Sequence, residues 1–381
     1  MTRDEAPAGG SMVHSMGEGM TLADWPALTA GEVAAVLSRF GCSEGVTVSW
    51  HSPRPMSSAA VVRVGERDCF VKRHDRRVRS AARLRVEHAV ADHLRSRDVA
   101  VPRPWRREDG DGVVERAGYV YEVHDLARGA DRYRDVPSWH PYFSLEHARE
   151  AGAALARTHL ALDDFDMTAS ASGVLMDSVD LLGGDLMAVV ADQAARREGL
   201  GSALSHYDWK VDLAEVEPWA ARAHEALKEL TPQWTHGDWH PSNLTWSDDD
   251  QVVEVLDLGL ANRTYAIHDL ALALERSCVD WLEVKAGGVV ADIAAARALL
   301  AGYESLRPLS SAEGKALNTV LPVCHLDFAL SEVEYFHSIT ASRENADLAY
   351  FGYLLGHLRW FRSPEGRGLL EILPLGGNAR P

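Results

Sequence analysis

Residues 235–243 read THGDWHPSN, and residues 252–259 read VVEVLDLG, an apolar run that ends in a carboxylate. The first stretch contains two histidines, an aspartate and an asparagine, and the second adds Asp257. Three interpretations compete for this set of side chains: a metal-hydrolase site, a phosphoryl-transfer site, or a polar loop without chemistry. The surrounding sequence has to decide between them.

A β-hairpin is predicted to join the two stretches. Short apolar runs lie on either side of the Asp-rich turn SDDDQ, residues 247–251, and that pattern indicates two antiparallel strands. If the turn is centred near Asp250, Asn243 faces Asp257 at the open end, where opposite side chains lie roughly 5 Å apart at Cβ. An amide, a carboxylate and the loop that carries Asp238 would then meet at one end of the hairpin.

This grouping has the oxygen atoms that phosphoryl transfer needs. Mg²⁺ prefers hard oxygen ligands, such as those of Asn243 and Asp257, and an acceptor hydroxyl needs a carboxylate, here Asp238, to orient it and take its proton. A metal-hydrolase site of the H-E-x-x-H type needs a helix and a glutamate after the first histidine. Gly237 and Pro241 oppose a helix there, and the glutamate is missing. The sequence therefore favours phosphoryl transfer.

These motifs also resemble a known family. H-x-D-x-x-x-x-N, followed by a hairpin and Asp-x-Gly, resembles the catalytic core of the protein-kinase-like fold. HGD in place of HRD is similar to its aminoglycoside phosphotransferase branch, which includes choline and homoserine kinase relatives. The resemblance implies that Asp238 is the catalytic base and that Asn243 and Asp257 are Mg²⁺ ligands. It also implies that Asp269, in the sequence DLA, anchors the loop, and that His159 packs or bonds structurally.

The order of predicted elements is consistent with that fold. Three β-type runs, at 46–51, 59–64 and 69–74, predict an antiparallel sheet, and two more strands follow a helix near 80–97. Helical patterns dominate the rest of the chain. We therefore predict an α+β, bilobal protein-kinase-like fold. Its parts would be a disordered tail at 1–20, a small antiparallel-sheet N-lobe at 21–124 and a larger, mainly helical C-lobe at 125–381.

Lys72, on the third strand, is predicted to hold the nucleotide phosphates. On the following helix, Leu84, Glu87, Ala91 and Leu94 share one face at helical spacing. A glutamate in an apolar stripe needs a partner, because an unpaired buried charge is costly. We expect Lys72 to be that partner, in a pair that resembles the one in kinase-like folds.

The loop between the first two strands, HSPRPMSSAA, lacks the glycines of the protein-kinase motif G-x-G-x-x-G. Ser57 and Ser58, through hydroxyls or backbone amides, are candidates for covering the phosphates, and a plain connecting loop is the alternative. The resemblance implies that adenine binds to backbone groups near Glu122 to His124.

The acceptor is expected between the catalytic loop and the C-terminal helices. The side chains predicted to contact it are His240, Asp327, Glu332, Glu334, Tyr335 and Trp360. A wall rich in carboxylates would favour a cationic acceptor, although a neutral sugar, nucleoside or antibiotic hydroxyl stays open. For each residue, helix surface or core packing is the alternative.

Composition narrows the partners. The net charge of −17 repels nucleic acid and anionic membranes, so we expect neither as a partner. No apolar run approaches the length of a bilayer span, and the first residues lack the apolar segment of a signal peptide. Four cysteines without metal-ligand spacing favour reduced thiols and a cytoplasmic location.

Together these features predict a Mg²⁺-dependent kinase. It would transfer the γ-phosphate of ATP or GTP to a hydroxyl of a small acceptor such as an aminoglycoside or other antibiotic, an amino sugar or an amino alcohol. A nucleotide-binding pseudokinase acting as a regulatory module is the alternative, and the intact set of Lys72, Asp238, Asn243 and Asp257 argues against it. A role in antibiotic resistance or in metabolism, and the oligomeric state, stay open.

Overall fold

The computed structural model of the chain describes residues 12–15, 20–42, 45–282 and 290–373. Two compact units divide the chain. Unit 1 comprises Met1–Ala91 and Pro102–Arg128, and unit 2 comprises Asp92–Val101 and Gly129–Pro381. Among the described residues, no helix combines the length and apolar character that crossing a membrane requires.

The predicted tail at 1–20 lies mostly outside the described residues. Of that segment, β1 (Met12–His14) forms a short antiparallel pair with β2 (Met20–Leu22). Val13 is buried, although β1 and Met20, the first residue of β2, lie in the segment predicted to be disordered.

A five-stranded antiparallel sheet forms the core of unit 1, as predicted, with the strand order β3-β4-β5-β7-β6. Its strands are β3 (Val46–His51), β4 (Ser58–Val64), β5 (Arg67–Asp75), β6 (Val114–Arg116) and β7 (Tyr119–Asp125). A tight turn with Gly65 at φ 58° connects β4 to β5. Only glycine adopts this left-handed conformation at no steric cost, so the residue fixes the turn between the two strands.

Of the helices that the structure describes, α1 (Ala30–Leu37) lies in unit 1 and α2 (Ala81–Ser96) begins there. Helix α1 begins with a complete capping box between Thr29 and Glu32, and its residues Val33 and Val36 are fully buried in the sheet core. Helix α2 buries Leu84, as its predicted apolar stripe requires.

Unit 2 is mainly helical. Its described helices are α3 (Leu145–Leu162), α4 (Leu186–Arg196), α5 (Glu198–Leu204), α6 (Trp209–Asp212), α7 (Glu217–Leu227), α8 (Ala266–Ser277), α9 (Ile293–Glu304), α10 (Ser311–Val320), α11 (Leu326–Glu334), α12 (Arg343–Asp347), α13 (Gly356–Phe361) and α14 (Pro364–Glu371). The backbones of helices α3 and α9 lie in close contact at Gly152. A Cβ on Gly152 would lie only 2.0 Å from the carbonyl oxygen of Leu299.

Two small β-pairs support the predicted catalytic loop. Strand β8 (Gln233–Thr235) pairs with β11 (Asn262–Thr264), and β9 (Leu244–Trp246) pairs with β10 (Val252–Val255). The second pair is the predicted hairpin, but its turn is centred near Asp249 instead of Asp250, so Trp246 faces Val252 instead of Glu254. Val253 is an extra residue on β10, and this bulge reduces the offset to one position, so that Leu244 faces Val255 instead of Leu256.

Candidate active site

The loop between β8 and β9 is fixed by Asp269, near the start of α8. Its carboxylate oxygens accept hydrogen bonds from the backbone N–H groups of His236 (2.8 Å) and Gly237 (2.9 Å). His159 donates to the same carboxylate at 3.0 Å. Burial opposes ionisation of Asp269, but these hydrogen bonds lower its pKa. The structure thus gives Asp269 and His159 the anchoring and structural roles that the resemblance implies.

Gly237 makes the sharp bend of this loop. Its φ is 76°, and a Cβ there would lie 2.4 Å from the carbonyl oxygen of Leu260. The position therefore requires glycine both for its backbone conformation and for its lack of a side chain. His236 extends the bracing: its Nε2 donates to the carbonyl oxygen of Leu256 at 2.8 Å, and its Nδ1 accepts from the backbone N–H of Asp238 at 3.1 Å.

Asp238 is held at both carboxylate oxygens. Oδ2 accepts from Asn243 Nδ2 at 3.0 Å, and Oδ1 forms an ion pair with Arg276. Nε2 of His240 lies 3.5 Å from Oδ1. Burial disfavours the charged carboxylate, but Arg276 together with His240 and His236 outweighs burial and holds the pKa of Asp238 well below its ordinary value. Asp238 is therefore an ionised, fixed carboxylate that can accept a hydrogen bond from a hydroxyl.

Asn243 and Asp257 stand at the open end of the hairpin. The carbonyl oxygen of Asn243 accepts the backbone N–H of Leu256 at 2.8 Å, so Asp257 follows directly after the residue paired with Asn243. Asp257 has φ 49° and ψ 75°, and its Oδ1 accepts from the backbone N–H of Gly259 at 3.2 Å. This left-handed conformation is uncommon outside glycine and turns the chain sharply at the carboxylate.

This donor set fits Mg²⁺. The side-chain nitrogen of Asn243 donates to both the backbone oxygen and the carboxylate of Asp238, so its amide oxygen is the atom left to bind a cation. An amide oxygen and carboxylate oxygens are the hard ligands that Mg²⁺ prefers.

In unit 1, Glu87 is buried on α2, as its apolar stripe predicts. Its ion-pair partners are Arg79, with Nη1–Oε2 at 3.1 Å, and Arg83, with Nε–Oε1 at 3.6 Å. Burial raises the pKa of Glu87 to about 7, and Lys72 opposes this rise less than either arginine does. Arg79 and Arg83 therefore stabilise the charged form of Glu87 more strongly than the predicted partner, Lys72 on β5, does.

Ser58 begins β4, and its hydroxyl is bound within unit 1. It donates to the carbonyl oxygen of Pro26 at 2.9 Å and accepts from Arg73 Nη2 at 3.0 Å. The hydroxyl of Ser58 is therefore engaged within the fold, and the role of this residue at the phosphates stays a prediction. Ser57 lies in the bend before β4, and its role at the phosphates stays a prediction.

Glu122 and His124, on β7, also have partners within unit 1. The carboxylate of Glu122 lies within hydrogen-bond distance of Nε2 of His74 (3.1 Å), His88 (3.2 Å) and His124 (2.8 Å). The strand pairs with β5 on one side. On the other, the carbonyl oxygen of Val123 accepts from the backbone N–H of Trp105, and the N–H of Asp125 donates to the carbonyl oxygen of Arg103. The adenine contact expected at backbone groups near Glu122 to His124 stays a prediction.

Two of the predicted acceptor contacts lie beside Asp238. One is His240, described above, and the other is Glu332 on α11, which is only 4% exposed. Burial raises the pKa of Glu332 to about 8, while the nearby Arg276 lowers it and Asp238 raises it further. Oε2 of Glu332 is buried and has no hydrogen-bond partner among the described residues.

The other predicted acceptor contacts serve packing within unit 2, and they are Asp327, Glu334, Tyr335 and Trp360. Asp327 accepts from the hydroxyl of Ser178 at 2.6 Å, and Glu334 accepts from Nε of Arg197 at 2.9 Å. Tyr335 and Trp360 are buried in edge-to-face aromatic contacts. The contacts described for these four side chains are with the rest of the fold, as the alternative of core packing predicts.

Arg276 is a site residue that the sequence analysis did not identify. It lies on α8, buried to 8% exposure, and its guanidinium packs on the Phe328 ring with 5.1 Å between CZ and the ring centroid. Its spacing could have revealed it, because Arg276 follows the loop anchor Asp269 by two helical turns and therefore shares its face. A buried arginine needs an anionic partner, and the partner of Arg276 is Asp238.

Comparison with known proteins agrees with this fold and site. Residues 54–309 match the sequence profile of the phosphotransferase enzyme family. A homoserine kinase of Gluconacetobacter diazotrophicus is 30% identical over 266 residues, which cover 68% of this chain and 72% of that protein. The chain belongs to the phosphotransferase enzyme family and is a small-molecule kinase.

Solved structures support the fold. A microcompartment-associated aminopropanol kinase aligns with a TM-score of 0.56 and 15% identity, covering 90% of this chain and all (100%) of that one. An amicoumacin kinase, solved with AMP-PNP, Ca²⁺ and its ligand, aligns with a TM-score of 0.55 and 14% identity, covering 92% and 98%. The predicted protein-kinase-like fold class is confirmed.

Proposed function

We propose that this kinase transfers the γ-phosphate of ATP or GTP to the hydroxyl of a small acceptor that also carries an ammonium group. The observation that carries this proposal is the pair of buried, unsatisfied polar atoms beside Asp238. Oε2 of Glu332 and Nη2 of Arg276 are buried without a hydrogen-bond partner in the described parts of the chain. Buried polar atoms of this kind are costly unless a ligand completes them.

The charges of these atoms suggest the chemical class of the acceptor. An ammonium group beside Glu332 would lower the raised pKa of this carboxyl group and favour the carboxylate, whose Oε2 would then accept its hydrogen bond. An N–H of Arg276 would donate to a carboxylate or a polar oxygen. The ammonium group of an amino alcohol would satisfy Oε2 of Glu332. A hydroxy amino acid also carries a carboxylate, so it would satisfy both Oε2 of Glu332 and Nη2 of Arg276. Several relatives of this chain are named homoserine kinase, which is consistent with a hydroxy amino acid.

The chain's own residues perform the proposed transfer as follows. Asp238 accepts a hydrogen bond from the acceptor hydroxyl and directs its oxygen at the γ-phosphorus. The O–P bond to the acceptor forms as the bond to the leaving nucleoside diphosphate breaks, and the hydroxyl proton passes to Asp238. Because Arg276 makes Asp238 a weak base, this proton moves late, as a loose transition state allows.

Asn243 and Asp257 would hold Mg²⁺, which neutralises negative charge on the transferring phosphates when it is bound. Lys72 of unit 1 would hold nucleotide phosphates through its ammonium group. Both assignments are part of the proposal and rest on the oxygen donors of unit 2 and on the place of Lys72 in β5.

An acceptor screen tests the proposal. Purified enzyme with Mg²⁺ and either ATP or GTP is offered homoserine, choline, aminopropanol, amino sugars and aminoglycosides, and nucleoside diphosphate release is followed. We expect turnover that requires an amine-bearing acceptor and that disappears in Asp238→Asn. Turnover only with acceptors that lack an amine, or equal turnover in Asp238→Asn, would contradict the proposal.

A further inference from the structure

A second cluster of unsatisfied polar atoms lies in unit 2, next to Arg276 in sequence. It comprises Glu275 on α8, His325 immediately before α11 and His357 on α13, and we call it the Glu275 cluster. One ligating atom from each residue lies within 4.8 Å of the other two. The three residues are distant in sequence, so the packing of three helical segments brings them together.

His325 presents a bare nitrogen to this cluster. Its Nε2 donates to the carbonyl oxygen of Leu354 at 3.2 Å, so in the neutral ring the lone pair is on Nδ1. Nδ1 is buried and finds no hydrogen-bond partner in the described ranges. Metal-binding histidines commonly have this arrangement, in which one ring nitrogen donates to a backbone carbonyl and the other is left for the ion.

Glu275 presents a second bare atom. Its Oε1 accepts from Nδ1 of His357, and its Oε2 is buried without a hydrogen-bond partner in residues the structure describes. The residue is 1% exposed, so solvent does not compensate this oxygen. A carboxylate oxygen and an imidazole lone pair are both electron donors, so a cation is the ligand that would satisfy them together.

His357 is fixed in orientation by its aromatic neighbours. The Trp281 ring stacks on it with 3.3 Å between centroids and 7° between planes, and the indole N–H of Trp281 donates to the backbone oxygen of Glu275 at 2.9 Å. Burial lowers the pKa of His325 to about 4 and holds that of His357 well below its ordinary value.

We propose that Glu275, His325 and His357 bind a divalent transition-metal ion of the zinc type. Two imidazole nitrogens and one carboxylate oxygen suit Zn²⁺ and its substitute Co²⁺, and three protein ligands leave one coordination position open. Such an ion would be distinct from the Mg²⁺ of phosphoryl transfer, whose ligands are oxygens only. The ion would link α8, the start of α11 and α13, and would thereby stabilise the packing of these three segments next to Arg276.

Metal binding is measured directly on the full chain, without an affinity tag and after dialysis against a chelator. Co²⁺ is titrated in while its visible absorption is recorded, and Zn²⁺ is then added to displace it. We expect one equivalent of Co²⁺ per chain, with the intense absorption of a low-coordinate site, and a higher melting temperature with Zn²⁺. His325→Gln and His357→Gln should each lose this absorption and the thermal shift.

His124→Gln is the matched control, because His124 belongs to a second set of two histidines and one glutamate with ligating atoms within 4.8 Å of one another. The His124→Gln enzyme should keep both the Co²⁺ absorption and the thermal shift with Zn²⁺. Because His357 is 13% exposed and His325 is fully buried, the glutamine variant of His357 should fold even if the His325 variant does not, and metal-free melting of each variant reports on folding. Absence of Co²⁺ binding in the parent enzyme, or binding that both His325→Gln and His357→Gln retain, would overturn the proposal. If an acceptor amine occupies the cluster instead, the parent enzyme binds no Co²⁺ and its acceptor KM rises in His357→Gln.

Discussion

Replacing Arg276 by methionine should weaken both folding and catalysis, because it removes the charge that balances Asp238. Breaking a buried ion pair by deleting one partner costs about 3–5 kcal/mol when the remaining charge is fully buried. Asp238 keeps 22% of its side chain exposed and retains its hydrogen bond from Asn243, so the remaining charge is partly solvated. We therefore expect a loss of about 2–3 kcal/mol in the free energy of unfolding.

The stability lost in Arg276→Met should depend on pH in a definite direction. Arg276 holds the pKa of Asp238 below its unfolded value, which is about 3.9 for an aspartate. Such a group stabilises the fold fully above its unfolded pKa, and that stability is lost as pH falls through the folded pKa. Removing Arg276 removes this contribution. The stability difference between the two proteins should therefore be largest near pH 7 and should shrink as the pH falls below about 4.

Urea unfolding over a range of pH measures the stability, and steady-state kinetics with the best acceptor measures catalysis. We expect kcat/KM to fall by about 100-fold in Arg276→Met and its acid limb to move to higher pH, since the carboxylate has become more basic and less well oriented. Arg297→Met is the matched control, because Arg297 is exposed on α9 and should change stability by less than about 0.5 kcal/mol. Equal unfolding free energies for Arg276→Met and the parent, together with an unmoved acid limb, would refute the reasoning.

Three further predictions concern the loop and the acceptor. Gly237→Ala should lose about 2–5 kcal/mol of stability in a urea titration, since its Cβ would lie 2.4 Å from a backbone oxygen in a left-handed conformation. The control Gly368→Ala places its Cβ in open space and should lose no stability in the same titration. Glu332→Gln should raise KM for an amine-bearing acceptor by about tenfold or more and leave KM for the nucleotide unchanged; equal acceptor KM values would exclude Glu332 as the ammonium partner. Asp257→Ala should abolish Mg²⁺-nucleotide turnover at every acceptor, and a normal rate would remove it from the metal site.

The sheet of unit 1 and the catalytic loop could be predicted from the sequence because their signals are local. Turn residues separate β-branched runs, and the HGD motif combines a glycine bend with the residues that the bend orients. The register of the β9–β10 hairpin differs from the prediction by two residues at Trp246 and by one at Leu244, because the turn is centred near Asp249 and Val253 is a bulge. A bulge changes pairing without changing composition, so the alternation of residue types does not reveal it.

The partners of buried charges were harder to predict. Glu87 was correctly placed in the interior, but Arg79 and Arg83 both compete with Lys72 for it, and only the path of the chain before α2 decides between them. Arg276 was missed for the same reason, since its partner Asp238 is 38 residues away. Sequence periodicity identifies which side chains are buried, whereas tertiary packing determines what they meet.

The central claim is that Asn243 and Asp257 together bind the Mg²⁺ that accompanies the nucleotide, beside Asp238. A crystal structure with Mg²⁺ and a non-hydrolysable nucleotide tests it most directly. The account predicts one octahedral ion with the amide oxygen of Asn243 and a carboxylate oxygen of Asp257 each about 2.0–2.1 Å away. An ion bound without either residue, or side chains of Asn243 and Asp257 directed to different ions or away from the nucleotide, would contradict it.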